Sequence, residues 1–253
     1  MPRRRENPQP RLDALYGINA VHGALASRPV DHVLIAEGHR SPRVEEVIQL
    51  CRARGIPLRF APAPALERAS GTPHHQNVVA ICAAKAYDDL GALLKVSPQP
   101  LIVVLDGVED PANLGAVART AVAAGAHGII IPEHRAAGLS AAVARAASGA
   151  LEHLKVTRVT NLTRTLAELK DNKVWVYGLE AAAVKSYLEL DYSVPCALVL
   201  GGEGHGLHRL VRENCDDLAR VQLYGPVESL NVSVAAAVVL YEAARQRHMT
   251  RGA

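Results

Sequence analysis

The hydrophobic and polar positions of this chain form short apolar runs that alternate with stretches of helical periodicity along almost the whole length. That alternation predicts an α/β protein with a largely parallel sheet. A first series comprises a helix over 18–26, a strand at 32–36, a helix over 44–53 and strands at 57–60 and 77–83. A second series opens at 101–105, a continuous apolar run suited to a strand covered on both faces, and continues with strands at 128–131, 174–177, 196–200 and 219–223. Residues 85–100 are less regular and are broken by Pro98 and Pro100, so they read as a linker. It separates a small N-terminal domain, 12–84, from a larger one, 101–253.

Helices fall between the strands. In the one after 101–105, Leu114, Val117, Ala118, Ala121 and Val122 recur at i, i+3, i+4, i+7 and i+8, which turns one stripe toward the sheet. The last helix, 231–247, is almost wholly apolar over 232–240 and must bury that surface in a core or against another subunit.

Composition adds little to the fold and more to the class. With 49% hydrophobic and 21% charged residues in 253, the chain is an ordinary globular protein, not a disordered, collagenous or mini-protein one. Cys51, Cys82, Cys196 and Cys215 form no Cys-x-x-Cys pair, which argues against a zinc ribbon or a thioredoxin-type centre. They read as reduced, mostly buried thiols of a cytoplasmic protein, with no metal. The net charge of +3 resides in residues 1–11, where Arg3, Arg4, Arg5 and Arg11 outweigh Glu6. Such an arm is a solvated, disordered terminus or a phosphate-binding tail. No apolar stretch follows it as in a secretory leader, and the longest apolar run, 234–241, is too short to span a bilayer.

Glycine and polar residues gather in three loops at strand ends. In the first, Asp106-Gly-Val-Glu-Asp110-Pro111-Ala-Asn113, the Asp-Pro pair predicts a helix start and puts Asn113 in the first turn. Asn113 is there either a plain polar residue or a donor and acceptor aimed into a cleft at the carboxyl edge of the sheet. Arg119 is either a snorkelling surface arginine or a functional one; Gly115, one turn earlier, leaves space for a long neighbour or an incoming backbone. The second loop, Gly201-Gly202-Glu203-Gly204-His205-Gly206, lacks the Lys-Ser/Thr of a phosphate-binding loop and the spacing of a dinucleotide fingerprint. It is a tight turn or a ligand loop, and the embedded Glu203 favours the ligand; His205 reads as an exposed loop residue. In the third, 223–233, Ser229 or Asn231 could cap the final helix, yet together the three loops could line one pocket.

These segments closely resemble the three motifs of the SpoU branch of SPOUT methyltransferases, in the same order. The matching residues are Asn113-x5-Arg119, then Leu-Gly-Gly-Glu203-Gly, then Ser229-Leu-Asn231-Val-Ser-Val-Ala, across about residues 101–247. Residues 16–25 and 75–80 look like the substrate-binding domain, of L30e and L7Ae type, that precedes the catalytic domain in enzymes that 2′-O-methylate a guanosine of large-subunit ribosomal RNA. Asn77 stands where relatives usually carry glycine, and Gly202 where alanine or serine is common, a conservative difference.

The resemblance implies a C-terminal trefoil knot, an exception to the general avoidance of threaded chains. It also implies a homodimer with the pocket near the subunit interface, and S-adenosylmethionine held bent by backbone groups near Gly201, Val221 and Leu230. Asn113, Arg119, Glu203, Ser229 and Asn231 would form the catalytic set: Asn113 near the ribose, Glu203 orienting Arg119 through a bidentate pair, Ser229 and Asn231 shaping the cofactor loop. The family role of Arg119 is to activate the hydroxyl; a guanidinium that stays protonated equally suits phosphate or ribose positioning. The expected substrate is 23S ribosomal RNA or the assembling large subunit. An enzyme acting on transfer RNA or another ribosomal site would share all three motifs. A non-catalytic RNA-binding assembly factor is disfavoured by the neutral body and by only 4% aromatic residues.

Overall fold

The computed structural model describes residues 12–38 and 41–251, so the expected arm at 1–11 lies outside the described residues. Two compact units divide after Ala86.

The N-terminal unit contains β1 (Leu12–Tyr16), α1 (Ile18–Ser27), β2 (Val30–Ala36), α2 (Pro42–Ala53), β3 (Leu58–Ala61), α3 (Ala63–Ser70) and β4 (Val78–Ala83). Its sheet runs β1-β4-β2-β3, with only the β2–β3 pair parallel. Val21 and Leu25 of α1 and Val44, Val47, Ile48 and Cys51 of α2 close a core over Val33, Ile35, Val78 and Ala80. Ser41 starts α2 by accepting from the Val44 N–H, with Pro42 at the first helical position. Neither β1 nor α3 was marked by hydrophobic periodicity. β1 is an edge strand whose Leu12 is exposed, and α3 buries fully only Leu66.

The C-terminal unit contains α4 (Leu90–Leu94), β5 (Leu101–Asp106), α5 (Pro111–Ala123), β6 (Gly128–Pro132), α6 (Ala141–Ala146), β7 (Lys155–Val159), α7 (Leu162–Asp171), β8 (Trp175–Leu179), β9 (Lys185–Ser186), β10 (Cys196–Gly201), α8 (Arg209–Glu213), β11 (Asp217–Arg220) and α9 (Val232–Arg251). Every strand pair in its seven-stranded sheet is parallel, in the order β7-β6-β5-β10-β8-β11-β9. The buried strands β5 and β10 carry the continuous apolar runs expected of a sheet covered on both faces. Leu93, Leu162, Leu166, Leu169 and Val211 cover one face, while α9 packs against α5 and β10.

The 85–100 stretch contains α4 rather than only open chain. Leu93 is buried in the C-terminal core, and the Asp88 carboxylate accepts from Lys155 Nζ and the Val156 N–H, both at 2.9 Å. The expected strand at 219–223 sits earlier, at Asp217–Arg220. Its ladder with β8 ends where Ala219 faces Leu179, the last residue of β8, so Val221 and Leu223 have no β8 residue to pair with. Gly115 takes an incoming neighbour: a Cβ there would lie 2.3 Å from Ala146 Cβ and 2.9 Å from Ala147 N, so α5 and α6 meet at this glycine.

Candidate active site

The strand order reverses direction between β5, which leads to β6 and β7, and β10, which leads to β8 and β11. Ligands of open α/β sheets bind at the carboxyl ends of strands at such a switch point. There Gly201 is in register with Asp106, and the Gly202 N–H donates to the Asp106 carbonyl at 2.7 Å. The loop then folds back on itself. A Cβ on Gly201 would lie 2.0 Å from Gly206 C, and one on Gly202 would lie 2.0 Å from the Gly107 carbonyl oxygen. Both glycines serve contact with the protein's own backbone, so alanine in place of Gly202 is not a conservative difference here. Gly204 and Gly206 supply the left-handed turn, with φ of 87° and 61°.

Across this loop three motif residues meet. Asn113 sits in the first turn of α5, whose start is made by Asp110 accepting from the Ala112 N–H and Pro111 following it, and it is buried. Its Nδ2 donates to Glu203 Oε1. Asn231, immediately before α9, donates from Nδ2 to Asn113 Oδ1 at 3.0 Å and to Glu203 Oε1 at 3.1 Å. Asn231 Oδ1 accepts from the Ser233 N–H at 2.9 Å, so of the two cap candidates Asn231 is the one used. Segments 90 and 118 residues from Asn113 thus converge on one carboxylate, and Glu203 Oε2 is left without a protein partner among the described residues.

Arg119 is not part of that junction. It is exposed and makes no hydrogen bond or ion pair among the described residues, so the expected Glu203–Arg119 pair is absent. The reason is helical geometry: six residues after Asn113, at about 100° per residue, Arg119 faces roughly 240° around α5. Ser229 is exposed in the loop between β11 and α9, and Val221 and Leu230 are half-buried at its two ends.

The surroundings of Gly201, Val221 and Leu230 suit a zwitterionic nucleoside. Among the described residues the backbone of 222–230, most of it exposed, makes no hydrogen bond to other backbone, so its amides and carbonyls are open to solvent or to a ligand. Arg220 Nε, just before Val221, is buried without a partner, a donor left for an anionic group.

Sequence reasoning overlooked Asp106 and His208. The buried Asp106 carboxylate accepts from the His208 N–H at 2.8 Å and lies 2.9 Å from His208 Nδ1, which clamps the far end of the glycine loop to β5. The only available signal was an aspartate closing an apolar strand. Both residues line a cleft of about 380 Å³ with Glu109, Asp110, Arg135 and Glu203. His205 lines it too and is exposed, as expected. Cys51, Cys82 and Cys196 are buried and form no disulfide among the described residues; burial pushes the Cys196 thiol up to about 11 and that of half-buried Cys215 up to about 12, so neither is a thiolate at neutral pH.

In the N-terminal unit the 75–80 motif forms a strained turn. Gln76 and Asn77 have φ of 54° and 64°, and Asn77 is the residue type that best replaces glycine in that region. The buried His75 ring accepts the Asn77 N–H on Nδ1 at 3.1 Å, and Gln76 Oε1 accepts from the first N–H of α1, that of Ile18, at 2.9 Å.

A two-unit chain with this parallel sheet and a carboxylate–amide junction at its switch point matches known proteins over nearly its whole length. The SpoU rRNA Methylase family profile matches residues 100–241, and that for RNA 2′-O ribose methyltransferase substrate binding matches 14–88. The chain belongs to the SpoU family and is an S-adenosylmethionine-dependent RNA 2′-O-methyltransferase. It is 44% identical over 239 residues to the 23S rRNA (guanosine-2′-O-)-methyltransferase RlmB of Xylella fastidiosa, covering 92% of this chain and 96% of that one. It is also 44% identical over 241 residues to YacO of Bacillus subtilis, assigned to the TrmH family of tRNA/rRNA methyltransferases, covering 93% and 96%. The AviRb methyltransferase of Streptomyces viridochromogenes, solved with AdoMet, superposes with a TM-score of 0.80 at 26% identity, over 94% of this chain and 91% of that one.

Proposed function

We propose that this chain methylates the ribose 2′-hydroxyl of a guanosine in 23S ribosomal RNA. The observation that carries the reading is the convergence of Asn113, Glu203 and Asn231 on one carboxylate at the switch point. The name borne by the Xylella relative supports the substrate, and the match of the N-terminal unit to a substrate-binding domain of RNA 2′-O ribose methyltransferases supports an RNA partner.

S-adenosylmethionine supplies an electrophilic methyl group on a sulfonium, and Gly201, Val221, Leu230 and the intervening loop would hold it. The chain's task is then to align a hydroxyl and to ease loss of its proton. Asn113 and Asn231 fix the Glu203 carboxylate with two amide donors, and its uncommitted Oε2 accepts the ribose hydroxyl hydrogen. Arg119, exposed and ending in a planar guanidinium that has donors and no acceptor, holds an RNA phosphate or the ribose. Ser229 shapes the cofactor loop.

The reading includes a homodimer, a C-terminal trefoil knot and a cytoplasmic site of action, where ribosomal RNA is found. Support for the dimer comes from α9, which exposes Val234 and Tyr241 seven residues apart on one face.

Incubation with labelled S-adenosylmethionine and unmodified 23S RNA, followed by alkaline hydrolysis, tests the proposal. A labelled, alkali-resistant dinucleotide beginning with guanosine is expected, because the 2′-O-methyl group blocks cleavage at its own site. Label in transfer RNA alone would replace this reading with the transfer RNA one, which the name of the Bacillus relative keeps in play.

A further inference from the structure

Glu180 follows β8, the strand that lies between β10 and β11. It therefore stands at the same carboxyl edge as Gly201 and Val221, between the two. Its backbone is fixed there, with its N–H donating to the Ala219 carbonyl at 2.9 Å and its carbonyl accepting from the Ala183 N–H at 3.0 Å. Its side chain faces the glycine loop: a methyl group built on Gly206 would lie 3.7 and 3.8 Å from its two carboxylate oxygens. Glu180 is half-buried, yet among the described residues its carboxylate accepts no hydrogen bond and joins no ion pair. Arg220, one residue beyond the Ala219 that faces Leu179, does not pair with it and keeps a buried Nε unpartnered.

A half-buried carboxylate without donors loses hydration that nothing replaces, so a ligand with donors gains more there than at a solvated group. We propose that Glu180 binds the ribose of S-adenosylmethionine, accepting hydrogen bonds from its adjacent 2′- and 3′-hydroxyls; this rests on the methyltransferase reading. Two features select the diol over the cationic parts of the cofactor. Both oxygens are presented to the same loop at nearly equal distance, the arrangement that takes two neighbouring donors. A carboxylate placed on the sulfonium would also stabilise the positive charge that disappears as the methyl group leaves, favouring the ground state over the transition state. The diol is neutral throughout.

Calorimetric titration of the full chain with S-adenosylhomocysteine, its 2′-deoxyribose analogue and 5′-methylthioadenosine tests this without turnover. In the wild type, removal of the 2′-hydroxyl is expected to weaken binding about tenfold or more. Glu180→Ala should weaken S-adenosylhomocysteine and 5′-methylthioadenosine alike, by about tenfold to a hundredfold, and reduce the deoxy penalty to within about twofold. Glu180→Gln, which offers one acceptor oxygen in place of two and no charge, should fall between. If alanine lowers the melting temperature of the unliganded protein, the deoxy penalty in Glu180→Gln decides. Unchanged affinity in the variants, or an unchanged deoxy penalty, overturns the proposal. So does a loss confined to S-adenosylhomocysteine, which would assign Glu180 to the amino-acid end. Failure of the wild type to bind S-adenosylhomocysteine would sink the methyltransferase reading and this one with it.

Discussion

Asn231 does two jobs with one amide: its oxygen caps α9 and its nitrogen ties Asn113 to Glu203. The two jobs can be separated by substitution. Asn231→Asp keeps a good capping oxygen but removes the donor and sets a second carboxylate against Glu203, so methyl transfer should fall at least about tenfold with little change in melting temperature. Asn231→Ala should lose activity similarly and also about 1 kcal/mol of stability, a shift of roughly 2–4 °C. Equal melting shifts in both variants would dissociate the cap from the junction. Gly202→Ala tests the close approach of the loop to β5. Because the atom 2.0 Å from the new methyl is the Gly107 carbonyl oxygen and not a flexible side chain, a loss of about 1–3 kcal/mol in urea unfolding is expected. At this scale the motif residues were legible in the sequence, whereas the partner of Glu203 was not. The resemblance paired Glu203 with Arg119, but the turn of α5 sets Asn113 toward the carboxylate and Arg119 away from it.

Among the elements, α9 joins the two edges of the sheet. It begins at Asn231 beside the site and carries Arg247 to the opposite, amino edge. There Arg247 Nε donates to the Tyr192 carbonyl and Nη2 to that of Val194, both at 2.7 Å, while Nη1 reaches the Gln99 carbonyl at 2.7 Å. Lysine has no planar fork to reach three carbonyls at once, so Arg247→Lys should lower stability by about 1–3 kcal/mol in equilibrium unfolding. Glu242 of the same helix is held below the usual carboxylate range by its hydrogen bond from Arg245, with a second from Gln246, against the opposing effect of burial. With its folded pKa depressed, it adds stability above the unfolded value of about 4.3, and that stability is lost as pH falls through the folded value. Wild type and Glu242→Gln should therefore differ in unfolding free energy at pH 7, and the difference should shrink as pH falls from the unfolded value through the depressed folded one; a constant difference would place the effect in packing.

The whole molecule in solution is expected to be a dimer. Val234→Glu and Tyr241→Glu together place charges on the exposed face of α9 and should yield monomers in sedimentation velocity, with loss of methyl transfer. A monomeric wild type with full activity would remove the dimer from the reading.

The amino-acid sequence alone determined the α/β class, the apolar central strands, the start of α5 at Asp110-Pro111 and the three motif loops, because period, capping and turn chemistry are local properties. It did not reveal β1, whose exposed edge shows no helical or continuous apolar pattern, nor where β11 stops, which depends on the end of its neighbour β8. Tertiary structure alone decided that Glu203 meets Asn113 and Asn231 rather than Arg119, that Asp106 clamps His208, and that Glu180, without a side-chain partner among the described residues, stands between the ends of β10 and β11. Those outcomes depend on which strand ends become neighbours in a parallel sheet, and chain order does not specify that adjacency.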